Sequence, residues 1–313
     1  MSLTEATDPS SAFDASEEMF GAYRSLWGDV WVQFRKHRLA VVGVITLLAL
    51  VLLSFVGPMF YKVDPAYIDI VDANQGPSRD HPFGTDNLGR DTLARVMAGG
   101  QVSISVGIAA MLVGIIVGTA IGGLAGYYAK LDGPLMRLTD MFLALPILPL
   151  LLVLILLFRD TLRAAFGPET GIFILIVFVI GILNWMATAR VVRAQTLSVK
   201  EQEFIHAAVC VGAGETRILS RHVFPNILSP VIVAATLGVA NAILTESALS
   251  FLGLGFPSDF PTWGRLLYDG KDFLQITPAL VFWPGLFISL TVLSINFVGD
   301  GLRDALDPRI RKR

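Results

Sequence analysis

Six stretches of this 313-residue chain contain no Asp, Glu, Lys or Arg: Leu39–Tyr61, Val96–Ala129, Met141–Phe158, Thr170–Ala189, His222–Thr245 and Phe273–Gly299. Each reaches 18 residues or more, and a helix needs about 20 apolar residues to cross about 30 Å of hydrocarbon. One such stretch fits a buried helix of a soluble protein. Six leave too little polar chain to cover them, since only 16% of residues are charged against about 25% in soluble domains. The expectation is an all-α, polytopic membrane protein with six transmembrane helices in a domain spanning 39–300.

Charge sets the orientation. If the first span runs outward from Arg35-Lys36-His37-Arg38, both termini are cytoplasmic. The inside segments then hold 16 Lys plus Arg and the outside segments 8, the positive-inside bias of that arrangement. Residues Met1–Asp14 carry no basic residue and read as a disordered tail rather than a signal peptide. Phe20, Tyr23, Trp27, Val30, Trp31 and Phe34 follow at helical spacing, so 1–38 reads as a tail with an amphipathic helix, lying in the membrane interface or facing a partner. A basic tail over 301–313 ends on Arg309, Arg311, Lys312 and Arg313, an inside anchor at the anionic leaflet.

Between the fourth and fifth uncharged stretches lies the most informative polar segment, inside a cytoplasmic loop read as 191–225. Phe204, Ala207, Ala208 and Val211 fall at i, i+3, i+4 and i+7, one stripe of a short helix, with Glu201, Gln202, Glu203 and His206 around it. Gly212-Ala213-Gly214 supplies a left-handed stop. A second piece, Glu215 to Arg221, is expected to close at Phe224-Pro225. The order Glu203, Ala207-Ala208, Gly212 and Pro225 resembles the EAA loop of ABC-importer permeases, the coupling helix that engages the ATPase. That family's pattern is Glu-Ala-Ala, three residues, Gly, nine residues, then an apolar-x-apolar-Pro ending. His206 stands where the Glu usually does, so the resemblance implies docking and leaves the polar contact open.

The outer loop 62–95 ends in His81-Pro-Phe-Gly-Thr-Asp-Asn-Leu-Gly-Arg-Asp91 and continues to Arg95. Asp86 is expected to cap a short helix, with Arg90, Asp91 and Arg95 close enough along it to pair. Phe-Gly-Thr-Asp and Gly-Arg-Asp resemble the segment marking C-type permeases of dipeptide and oligopeptide importers. So do Ser247-Ala-Leu-Ser-Phe-Leu-Gly-Leu-Gly255 and the exit Gly299-Asp-Gly-Leu-Arg-Asp-Ala-Leu-Asp-Pro308. Pro257-Ser-Asp-Phe-Pro-Thr-Trp-Gly264 departs from that subfamily, which usually has a proline-rich run before Trp-Gly.

Within the spans, Gly114, Gly118, Gly122 and Gly126 repeat every four residues and give one flat helix face for close packing; its neighbour is not readable. Pro146 and Pro149 are expected to bend the third span. The fifth span runs from Pro225-Asn226 through Asn241 to Glu246. Glu246 is roughly 30 Å from Asn226 at 1.5 Å per residue, near the outer mouth. It reads either as an interfacial, solvated carboxylate or, with Asn241, as a gate or pathway residue.

No chemistry of bond making is visible. Cys210 is the only cysteine, and His37, His81, His206 and His222 form no HExxH motif. GxxxxGK[ST] and GxSxG are absent too. No metal, cofactor or nucleic-acid partner is expected of this chain. The resemblance covers about Trp31 to the end and implies a non-catalytic permease subunit of ABC-importer type I architecture in the bacterial inner membrane. It implies a homologous second permease, two ATP-binding subunits holding ATP and Mg, and an extracytoplasmic substrate-binding protein. Peptides are the implied cargo, with nickel complexes, glutathione or sugars as alternatives. The rival class, a stand-alone secondary transporter, would need a midplane ion-coupling site and internal repeats, and neither is found.

Overall fold

The computed structural model describes residues 26–306. Among them every regular element is helical: α1 (Leu26–Lys36), α2 (Arg38–Phe55), the single turn α3 (Gly57–Phe60), α4 (Thr92–Tyr127), α5 (Ala129–Ala144), α6 (Ile147–Phe166), α7 (Pro168–Lys200), α8 (Glu203–Cys210), α9 (Glu215–Ile218), α10 (Phe224–Phe251), α11 (Trp263–Gly270) and α12 (Ala279–Leu306). The chain is an all-α polytopic membrane protein. Five helical runs are long and apolar enough to cross a bilayer, namely α2, α4, α7, Glu215–Phe251 and α12; α5 and α6 make a sixth if that pair, bent by 87°, is one span.

The expected bend of the third span is therefore a break. Pro146 has no N–H to continue α5, and the residue before a proline is driven out of helical geometry; Leu145 is extended, at ψ 140°. Pro149 does not bend anything, because it sits in the first turn of α6, where amide protons have no helical acceptor anyway. Element ends also differ from the sequence reading. The outer loop stops at Asp91, α7 continues to Lys200, and α12 continues to Leu306. The Met1–Asp14 tail, Phe20, Tyr23, the Trp27 side chain and the basic end at 309–313 lie outside the described residues. In α1, Val30 and Phe34 are buried against Ala40 and Ala305, while Trp31 is exposed.

The interior is built on α4 and α7. The glycine face of α4 is turned to α7 of the same chain. Gly114 meets Gly181 and Asn184, Gly118 meets Trp185 and Thr188, Gly122 meets Ala189 and Val192, and Gly126 meets Arg193 and Thr196. Partner numbers rise together, so the two helices run parallel, in contact over several turns. Leu151 and Ile155 of α6 complete this core from the other side of α7. Trp263 fills one end of the bundle between α2, α4 and α12, its indole N–H donating to the Val96 carbonyl at 3.0 Å.

Charged side chains fasten the outer loop. Asp91, rather than Asp86, caps α4, accepting from the Ala94 N–H at 2.7 Å. Gly84 and Gly89, at φ 79° and 75°, turn the loop so that Asp86 points inward. Its carboxylate accepts from the N–H groups of Leu88 and Arg90, from Arg90 Nε at 2.7 Å and from Arg95 Nη1 at 2.5 Å. Arg95 also donates to the Ser258 carbonyl and to Asp269, which tie α4 to the segment around α11. The expected pairing of Asp91 with the two arginines is thus replaced. Asp91 instead accepts from the Tyr61 hydroxyl and bonds the His81 ring, both at 2.8 Å. Burial, reinforced by Asp91, holds the Tyr61 hydroxyl well above its ordinary pKa, so it remains a donor.

The glycine face generates a paired test. A Cβ on Gly122 would overlap the Ala189 carbonyl, whereas one on Gly123 meets nothing within 4 Å. Gly122→Ala should cost about 1–3 kcal/mol of stability. Gly123→Ala should be neutral or stabilising by about 0.5–1 kcal/mol. Thermal unfolding of the two purified variants checks the difference; equal melting temperatures would contradict the close approach.

Candidate functional site

The polar segment after α7 folds as a small unit with an inner and an outer side. Lys200 ends α7 by donating to the Tyr127 carbonyl at 2.9 Å, which brings the ends of α7 and α4 together. After Glu201 and Gln202, α8 begins at Glu203. It ends as its glycine predicts: Gly212 has φ 84°, the Gly212 N–H bonds the Val209 carbonyl, and the Ala213 N–H bonds the Ala208 carbonyl. This is the paired-bond stop that a left-handed residue permits, and it satisfies carbonyls the helix end would otherwise orphan.

Ile205 is the residue that the sequence reading missed. It is buried with Ile218 and Val223 of the same unit, against Val192 of α7 and Ile227 and Val231 of α10. Phe204 and Ile205 are adjacent, so one apolar residue serves each side of α8. The predicted stripe divides accordingly. Phe204, Ala207 and Val211 are exposed, while Ala208 is half-buried on the Ile205 side. Glu203 and His206 are exposed as well, and Phe204 lies beside the His222 ring.

Pro225 does not close the second piece. After α9 the chain makes one π turn, Leu219–Val223, and enters α10 without interruption. The Phe224 N–H reaches back five residues to the Leu219 carbonyl. Pro225, which has no N–H, falls at the start of the renewed α-helix, where its lack of a donor is tolerated. One helical run therefore connects the polar unit to the span that carries Glu246.

Glu246 is fully buried, which overturns the solvated, interfacial reading. Its carboxylate collects two chains of donors. Ser103 of α4 donates to Oε2 at 3.1 Å and itself accepts from the Trp263 N–H at 3.2 Å. Ser250 donates to Oε1 at 2.7 Å and is approached at 3.4 Å by the Thr262 hydroxyl, which caps α11 by accepting from the Arg265 N–H. No basic side chain bonds this carboxylate among the described residues. The network joins α4, α10 and the start of α11 at one point. Asn241 is not part of it: that side chain is exposed on another side of α10. Among the described residues there is no group of three or more His, Cys, Asp or Glu placed to hold a metal ion.

Comparison with known proteins follows the same lines. The family described as binding-protein-dependent transport system inner membrane component matches residues 93–312, and the N-terminal TM domain of oligopeptide transport permease C matches residues 25–77. The oligopeptide transport system permease protein OppC of Escherichia coli (strain K12) is 41% identical over 300 residues, covering 95% of each chain. OppC of Bacillus subtilis (strain 168) is 38% identical over 289 residues, covering 92% of this chain and 91% of its own. The dipeptide transport system permease protein DppC of Alkalihalophilus pseudofirmus is also 38% identical, with the same coverage.

The buried carboxylate carries a prediction of its own. Glu246→Ala leaves the Ser103 and Ser250 hydroxyls without their acceptor, at a cost of about 1–3 kcal/mol for each group stranded away from water. Glu246→Gln keeps one acceptor oxygen and should lose less. Melting temperatures of the purified variants should fall in the order wild type, Gln, Ala; an alanine variant as stable as wild type would show that the network contributes nothing.

Proposed function

Because the chain belongs to the family of binding-protein-dependent transport system inner membrane components, we propose that it is one of two different transmembrane subunits of a peptide importer of the ABC class. Similarity to oligopeptide and dipeptide permeases over nearly the whole chain supports peptides as the cargo. The chain is a multi-pass protein of the inner membrane. Its partners in this reading are a homologous permease, two ATP-binding subunits and an extracytoplasmic substrate-binding protein. ATP and Mg belong to the ATP-binding subunits, and this chain hydrolyses nothing. Both termini face the cytoplasm, in keeping with the 16-to-8 distribution of basic residues.

The observation that carries the reading is the two-sided α8. Its outer side offers Phe204, Ala207 and Val211 with Glu203 and His206 at their border, a surface of mixed size for a groove on an ATP-binding subunit. Its inner side is fixed through Ile205 to α7 and α10. A displacement of α8 is therefore passed to both spans instead of being absorbed by a loose loop. Through α10 it reaches Glu246, about 33 Å from Phe224, where the outer ends of α4, α10 and α11 are joined. Closure of the ATP-binding subunits thereby changes the packing of the spans at their far end, the kind of discrete rearrangement that packed helices permit.

Two experiments test this. In a Cys210→Ser background, cysteines at the exposed positions Val71 and Thr216 should label from opposite sides of intact spheroplasts, and same-side labelling would refute the orientation. Ala207→Trp overfills the outer side of α8, while Gly212→Val places a β-branched residue at a positive φ. Both variants should insert normally and lose ATP-driven peptide uptake by tenfold or more, and a cysteine at Glu203 should crosslink to the ATP-binding subunit. Normal uptake by both, with no such crosslink, would remove α8 from the coupling role.

A further inference from the structure

Near the middle of the bundle, α4, α7 and α10 leave a narrow recess that opens to the outside of the chain. Asn184 is the central residue of α7, so the recess lies near the centre of the bilayer if α7 spans it. Its floor is small, with Gly114 on α4 and Ala234 and Gly238 on α10, and Met111 makes one wall. Two polar side chains line it, Asn184 and Thr188. The Asn184 amide nitrogen donates to the Ile180 carbonyl at 3.0 Å, and its oxygen accepts nothing among the described residues. The Thr188 hydroxyl, on a residue 92% buried (8% exposed), has no hydrogen-bond partner there either. No ionisable side chain borders the recess.

Polar groups at this depth are costly against lipid and face protein or a water-filled path. We infer that the recess is a subsite for the main-chain amides of a peptide in transit, an inference that rests on the peptide-import reading above. Asn184 offers an acceptor, and Thr188 a donor and an acceptor, which match the N–H and C=O that every peptide unit carries. Ala234 and Gly238 add little bulk to the α10 side of the recess. The absence of charge means that neither ionised termini nor charged side chains are selected, and Met111 is a pliable apolar surface for side chains of varied shape. Such a site reads what all peptides share and leaves discrimination among them to other components.

The test uses the assembled complex in proteoliposomes, with its receptor and ATP-binding subunits, and follows ATP-driven uptake of trialanine. Thr188→Val preserves shape and removes the hydroxyl. Asn184→Leu removes the acceptor, and Gly238→Leu fills the recess without touching either polar group. Each should lower uptake at least fivefold while subunit co-purification, melting temperature and affinity of the receptor for trialanine stay at wild-type values. Trialanine methylated on the amide nitrogen of its middle residue should be taken up more slowly by wild type at equal receptor occupancy, and Thr188→Val should reduce that difference. Should Asn184→Leu fail to assemble, Thr188→Val decides alone. Wild-type uptake in Thr188→Val and Gly238→Leu overturns the subsite. So does a cysteine at Thr188 that crosslinks to the second permease in every nucleotide state, which would make the recess a subunit contact. A wild-type complex that moves no peptide at all is a different result: it refutes the importer reading, and the subsite falls with it.

Discussion

In hydrocarbon a backbone N–H or C=O has no water to bond, so each span must satisfy its own amides, and departures from regular helix are confined to places that supply another partner. This constraint accounts for where the irregular geometry of the chain is found. The break between α5 and α6 falls at a proline, which has no N–H to strand, and the Pro146 carbonyl is taken up at once by the Leu150 N–H. The π turn before α10 keeps its amides paired by reaching one residue further back. The long stretch without an α-helix, from Tyr61 to Asp91, lies outside the spans, where Thr85 and Asp86 stand in for helix acceptors.

The buried polar groups follow a related rule with a different emphasis. Around Asp86 and Arg95, opposite charges are brought together in the outer region, and each carboxylate oxygen has donors. At Glu246 each carboxylate oxygen has a donor too, but both donors are serine hydroxyls. A group removed from water is costly unless its hydrogen bonds are replaced, and here the replacements come from α4 and α10, with the start of α11 bonding the two serines from behind. The outer end of the bundle is consequently specified by polar geometry, whereas α4 and α7 below it are specified by glycine and shape. The two mechanisms respond differently to motion: directional bonds break at a defined displacement, while a flat helix face tolerates sliding.

The spans were legible because exclusion of charge over 18 or more residues is a local property, and so was the stop at Gly212, which depends on one residue's freedom at positive φ. The small face of α4 was legible from its four-residue spacing, but its neighbour was not, since spacing says nothing of what approaches. Ile205 escaped notice because adjacent apolar residues on a short helix point to two sides and periodicity favours only one stripe. Asp86 and Asp91 exchanged their expected roles through the turns at Gly84 and Gly89, which no helical pattern encodes. The burial of Glu246 was not legible, for the plainest reason. Its burial is decided by Ser103, 143 positions away, and by the wedge of Trp263 beside it, so no window around residue 246 contains the information.

Parallel pairing of α4 with α7 bears on how the protein is made. Gly114 meets Asn184, a separation of 70 residues (184 − 114), and all of α5 and α6 is synthesised between them. At a synthesis rate of about 5–20 residues per second, α4 waits for several seconds with its flattest face uncovered. The α6 helix, which reaches the membrane first, finds its buried contacts, Leu151 and Ile155, mainly on α7. The core of the bundle is therefore completed by a late arrival, and a chain interrupted before residue 168 would present lipid with helices whose proper partner has not yet been made.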